Sequence, residues 1–119
     1  MADNEPSLGK TTIAPDVLLT IARLTALDVN GVSRLSHVQT GVNHLLKRTQ
    51  RREGVMIEIT DDVVNIDIYV ILKNDVNVRE VSHNIQHEVS RAISEMVGMS
   101  VGWVNIHIED IDYPVEAEV

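Results

Sequence analysis

Three groups of side chains in this sequence have types and spacings suited to chemistry. The first is cationic. No acid stands between Asp28 and Glu53, and that window holds Arg34, Lys47, Arg48, Arg51 and Arg52, half of the ten lysines and arginines, together with His37 and His44. The formal net charge is −8, so setting aside the +5 of this window leaves −13 on the rest of the chain. A basic insert on an acidic body is dipolar, and it suits an anionic partner: a lipid headgroup, a nucleic-acid phosphate or an acidic protein. The insert contains no Tyr, Trp or Phe, so it offers bases no stacking platform. Lipid or protein is therefore favoured over nucleic acid, and the bland alternative is a solvated loop. The second group is Tyr69, Trp103, Asn105 and His107, which strand alternation assigns to one sheet face with Glu58, Asp67 and Glu109. Exposed aromatics on a sheet can stack RNA bases, but these acids repel phosphate, so contact with a protein partner or a second subunit is the expected role. The third group is His83 and His87, spaced i, i+4 and so on one side of a helix. Such a pair is a weak metal candidate. The stretch reads H-N-I-Q-H and lacks the glutamate base of an H-E-x-x-H site, so two solvated histidines are the simpler reading.

Catalysis finds little to work with. Cysteine is absent, which removes disulfides, thiolate chemistry and cysteine-ligated metal centres. No serine lies in a G-x-S-x-G elbow and no glycine-rich phosphate loop occurs. The expectation is a protein that is not an enzyme and uses no cofactor.

These residues must be positioned by a small set of elements. Asn77 and Glu80 form an N-x-x-E capping box, with Val76 and Val81 placed as a hydrophobic staple. Val78, Val81, Ile85, Val89, Ala92 and Met96 then draw an apolar helical stripe, which Gly98 ends. Val104, Ile106 and Ile108 alternate with Trp103, Asn105 and His107, the period of a half-buried strand. Val55, Ile57 and Ile59 pair with Val64, Ile66, Ile68, Val70 and Leu72 across an Asp61-Asp62 turn. The second of these strands is apolar on both faces toward its end, which predicts a central position. Pro15 and Asp16 open an earlier helix carrying Val17, Leu18, Ile21, Ala22, Leu24 and Thr25, a broad apolar arc that predicts burial around much of its circumference. Thr11–Ile13 is expected as a short edge strand. Residues 32–54 are expected as a basic loop or a short helix using Val42, Leu45 and Leu46.

The resulting order is β-α-β-β-α-β: an α/β (α+β) open sandwich with two helices on one face of a small mixed or antiparallel sheet. Residues 1–10 read as a flexible tail, 11–112 as one domain and 113–119 as an acidic tail. The first ten residues hold no apolar leader, and no apolar run approaches the roughly 20 residues of a membrane-spanning helix. A cytoplasmic location is expected.

The segments TTIAPDVLLTIARLTALDVNGV, IEITDDVVNIDIYVILK and VREVSHNIQHEVSRAISEMVGMSVGWVNIHIEDI together resemble the bacterial alkaline shock protein family, also called the envelope or general stress response family. The match rests on the order and spacing of I-A-P-x-V-L, the D-V-x-G-V helix ending and the closing V-N-I-H-I strand, over roughly residues 11–112. Asp75 departs from it, standing where many members have glycine before the second helix. The resemblance implies a non-enzymatic cytoplasmic scaffold that self-associates and reaches the membrane through protein partners. It brings no catalytic residues. The alternative function is nucleic-acid binding through residues 34–52.

Overall fold

The computed structural model describes residues 7–37 and 49–114, with the backbone alone at 49–52. In chain order the elements are α1 (Pro15–Asp28), β1 (Val32–Leu35), β2 (Thr49–Arg52), β3 (Val55–Thr60), β4 (Val63–Lys73), α2 (Val78–Val97) and β5 (Ser100–Asp112). The five strands make one mixed sheet. β4 is its central strand, as its two-sided apolar end predicts. β5 runs parallel along one edge of β4, from Val63↔Ser100 to Lys73↔Asp112. The other edge is shared: β3 pairs antiparallel with residues 63–68 of β4 and β1 with residues 70–72. β2 extends the sheet beyond β3.

Both helices cover one face. Val64, Ile66, Ile68, Val70 and Leu72 of β4 are buried there, against Leu18, Leu19, Ala22 and Ala26 of α1 and Val81, Ile85, Val89 and Ile93 of α2. This is the expected open α+β sandwich with a nearly pure aliphatic core. The parallel β4–β5 pair requires a crossover, and α2 supplies it. Asn77 caps α2, its Oδ1 accepting from the Glu80 amide at 2.9 Å, and Gly98 ends it at φ 81°. Asp75 also takes a left-handed conformation, φ 63°. Aspartate tolerates that conformation where glycine is the easier choice.

Four expectations need correction. Residues 11–13 form no strand, and both edges of the central β4 are filled by β1, β3 and β5. The first strand therefore follows α1 directly through Gly31, and the order is α-β-β-β-β-α-β. The stretch 32–54 has strands at both ends, β1 and β2; the helix suggested around Val42, Leu45 and Leu46 lies outside the described residues. The broad apolar arc of α1 is buried on one side only, with Val17 44% and Leu24 53% exposed. In a two-layer fold an outer helix has a back that nothing covers. The stripe of α2 steps from Val89 to Ile93 rather than to Ala92, leaving Met96 71% exposed. A four-residue step keeps Ile93 over the sheet and leads on to Val97, which packs against the core, so Met96 falls on the outward side.

Candidate interaction surface

The helix-free face of the sheet is where the polar and aromatic residues of β4 and β5 meet. Strand alternation sends Asn65, Asp67, Tyr69 and Ile71 of β4 to this side. The parallel register sets Asn105 beside Asp67 and His107 beside Tyr69. The rings of Tyr69 and His107 stack at 4.3 Å between centroids, 11° from parallel. His107 Nε2 lies 2.9 Å from Asp67 Oδ1, and Asn105 Nδ2 donates to the same oxygen at 3.2 Å. A carboxylate only accepts, so the proton of His107 sits on Nε2. Asp67 Oδ2 makes no hydrogen bond among the described residues. The Tyr69 hydroxyl is held above its ordinary pKa, first by burial and then by the charges of Asp67 and Glu109.

Trp103 departs from the simple alternation. The register slips between Val64 and Ile66, where residues 101–104 of β5 bulge. The Trp103 amide donates to Asn65 Oδ1 at 3.0 Å, and its side chain is 49% exposed beside Gln86 and Ser90 of α2. Tyr69 therefore stacks on His107 rather than sharing a patch with Trp103. A second slip, between Val70 and Ile71, brings Asp110 beside Ile71. Nothing in the alternation of β5 announces either slip; the sequence hint is limited to Gly102, whose Cβ position is occupied by the Asn65 side chain.

The cationic window looks different in three dimensions. Arg34 donates from Nε and Nη2 to Asp112 at 3.2 Å each, and Ser33 Oγ donates to the same carboxylate at 2.6 Å. The pair crosses β4 near Ile71, which is buried despite lying on the open face. Lys47 and Arg48 lie outside the described residues; Arg51 and Arg52 stand on β2, opposite Met56 and Val55. A depression of about 260 Å³ between Leu27, Leu35 and both Arg23 and Arg34 borders this end. Its two arginines face Glu53 and Asp112 respectively, so it is no unopposed anion site. His83 and His87 are exposed on α2, and no group of three or more His, Cys, Asp or Glu that could hold a metal occurs among the described residues.

The Arg34–Asp112 pair has a pH signature. The Asp112 carboxyl is held below its ordinary value of 3.8, first by the hydrogen bond from Arg34 and then by that from Ser33. A depressed folded pKa adds stability that is present above the unfolded value and fades as pH falls through the folded one. The melting temperature of Asp112→Asn is expected to fall below wild type at pH 6 and to converge on it as pH drops below about 3.8. The difference should be small, and smaller in high salt, because the pair is exposed. Calorimetry from pH 7 to 2.5 checks it; a gap independent of pH would assign the pair no electrostatic role.

Comparison with known proteins adds three findings. The sequence model of the ASP23 family, described by its cell envelope-related function, matches residues 3–113. Among curated proteins, YqhY of Bacillus subtilis (strain 168) is 29% identical over 119 residues, covering 99% of this chain and 88% of YqhY. Spy1535 of Streptococcus pyogenes serotype M6 is 33% identical over 105 residues, covering 87% and 80%. Among solved structures, MamM-CTD 215-293 superposes with a TM-score of 0.52 at 12% identity, over 82% of this chain and 99% of that one. At that identity the likeness is one of fold.

Proposed function

Because this chain belongs to the alkaline shock protein family, whose function is cell envelope-related, we propose that it is a non-enzymatic interaction protein: a scaffold that self-associates and reaches the membrane through protein partners. The observation that carries this reading is the open β4–β5 face. It bears an ordered cluster, Asp67, Asn105, His107 and Tyr69, that no element among the described residues covers. Ordering polar side chains on a surface costs entropy, and a partner that uses them offsets it. The cluster is a platform rather than a pocket. No helix among the described residues is long and apolar enough to cross a membrane, so envelope association by this route runs through contacts. The nucleic-acid alternative is weakened by the net charge of −8 and by the engagement of Arg34 with Asp112.

Light scattering and membrane sedimentation test the proposal together. The wild type should exceed monomer mass at micromolar concentration, and Tyr69→Ala/Trp103→Ala should give a smaller species. At physiological salt it should sediment with native membranes, and lose this after protease treatment of those membranes. A strictly monomeric protein that binds protein-free liposomes as well as native membranes would sink the proposal.

A further inference from the structure

We infer that the open β4–β5 face docks an extended lysine- and arginine-rich segment of a partner protein, its cationic side chains lying over the Tyr69–His107 stack and the carboxylates around it. The inference rests on the interaction-protein reading above and names the chemistry of the partner. Four acids are spread along this face. Asp67 lies within the cluster, Glu58 faces Asn65 across the β3–β4 register, Asp110 stands beside Ile71, and the charge of Glu109 reaches the Tyr69 hydroxyl. Together with Asp112 these make five acids. Arg34 bonds Asp112 and lies near enough to Asp110 to feel its charge, and Lys73 stands opposite Asp112 at the end of β4, so among the described side chains the acids of this face outnumber the cations.

An aromatic face with carboxylates at its rim is what a guanidinium or ammonium recognises. The cation sits over the ring, and the acids satisfy its donors. Asp67 has its second oxygen uncommitted, with its side chain 25% exposed. An acceptor held so firmly at Oδ1 presents Oδ2 in a fixed direction, which lowers the entropy lost on binding. A phosphate-bearing partner meets the same four acids as repulsion, so nucleic acid and anionic lipid are disfavoured on this face.

Fluorescence anisotropy with a labelled nona-arginine peptide tests this, with a neutral Gly-Ser peptide of equal length as control, at physiological salt. The full chain should bind the first and not the second. Glu58→Gln/Glu109→Gln, which leaves the Asp67 network intact, should weaken binding about tenfold. Glu88→Gln/Glu95→Gln, the same charge change placed on α2, should alter it by less than about twofold. Tyr69→Ala, which changes no charge, should weaken it by about three- to tenfold. Equal losses from the two glutamine pairs, or no loss with Tyr69→Ala, would reduce the effect to overall charge and overturn the inference. Replacing Lys47, Arg48, Arg51 and Arg52 by Gln discriminates the other occupant. If that variant bound the peptide far more tightly than wild type, a second copy's basic segment would be filling the face, and the partner assignment would be wrong. Failure of the peptide arm with scattering and sedimentation intact removes the cationic partner alone; failure of those two removes the reading beneath it.

Discussion

Ile85→Ala is expected to lower the unfolding free energy by about 2–5 kcal/mol. Ile85 is fully buried at the centre of α2, packed into the cluster that joins both helices to β4. Truncation removes apolar contact and leaves a cavity that a rigid sheet on one side cannot fill. The core contains almost no aromatic bulk to reorganise into the gap, since the chain has no Phe and its Trp is half exposed. Two companions set the scale. Asn77→Ala loses the cap on the Glu80 amide and should cost about 1 kcal/mol. Met96→Ala lies outside the core and should stay within about 0.5 kcal/mol of wild type. Urea melts give the order directly. A Met96 variant as damaged as the Ile85 variant would mean that the helix packs in a different register.

The second large effect is expected at Gly54. It follows β2 at φ 80°, a conformation costly for any residue with a side chain. Its neighbours are closer than that conformation alone would require. An added Cβ would stand 2.6 Å from the Ser36 carbonyl oxygen, 2.7 Å from Leu35 Cβ and 3.2 Å from the Tyr69 carbonyl oxygen. Here the end of β1 and the start of β3 both meet β4: the Tyr69 amide donates to Gly54 O at 2.8 Å, and the Ser36 amide donates to Tyr69 O at 2.7 Å. Backbone cannot move aside as a flexible side chain can, so strain and overlap add. Gly54→Ala should cost about 2–5 kcal/mol. Gly98→Ala supplies the control: its φ is 81°, but nothing lies within 4 Å of the new Cβ, so only the strain of about 1 kcal/mol remains. Equal losses at the two sites would show that Gly54 is needed for its conformation and not for the close approach of three strands. The Gly54 variant should also disturb the Tyr69–His107 stack, readable in the His107 ring proton shifts, because Tyr69 is fixed by the same hydrogen bonds.

What the sequence determined by itself is what local chemistry controls. The cap at Asn77, the stop at Gly98, Pro15 at the first turn of α1 and the β3–β4 hairpin all follow from bonds and dihedral preferences within a few residues. The centrality of β4 was legible too, because its end carries apolar residues on both sides, which suits a strand flanked by neighbours rather than one at the rim. The family resemblance was readable in the order of those same elements. Tertiary structure decided the rest, wherever the deciding partner is distant in the chain. Thr11–Ile13 has good strand residues, yet it joins no strand, since a strand forms only where the fold brings a partner edge to it. The back of α1 is apolar but uncovered, since hydrophobic pattern states a preference and the two-layer packing decides which side is met. The acid-free window lost Arg34 to Asp112, 78 residues away, a pairing that no local count of charge can foresee. Asp67, His107, Tyr69 and Asn105 became one cluster only when α2 brought β5 parallel to β4 in a register set by two bulges. Side-chain types can be read one residue at a time; which of them touch is fixed by how strands slide, and a slip of one residue turns every side chain to the opposite face.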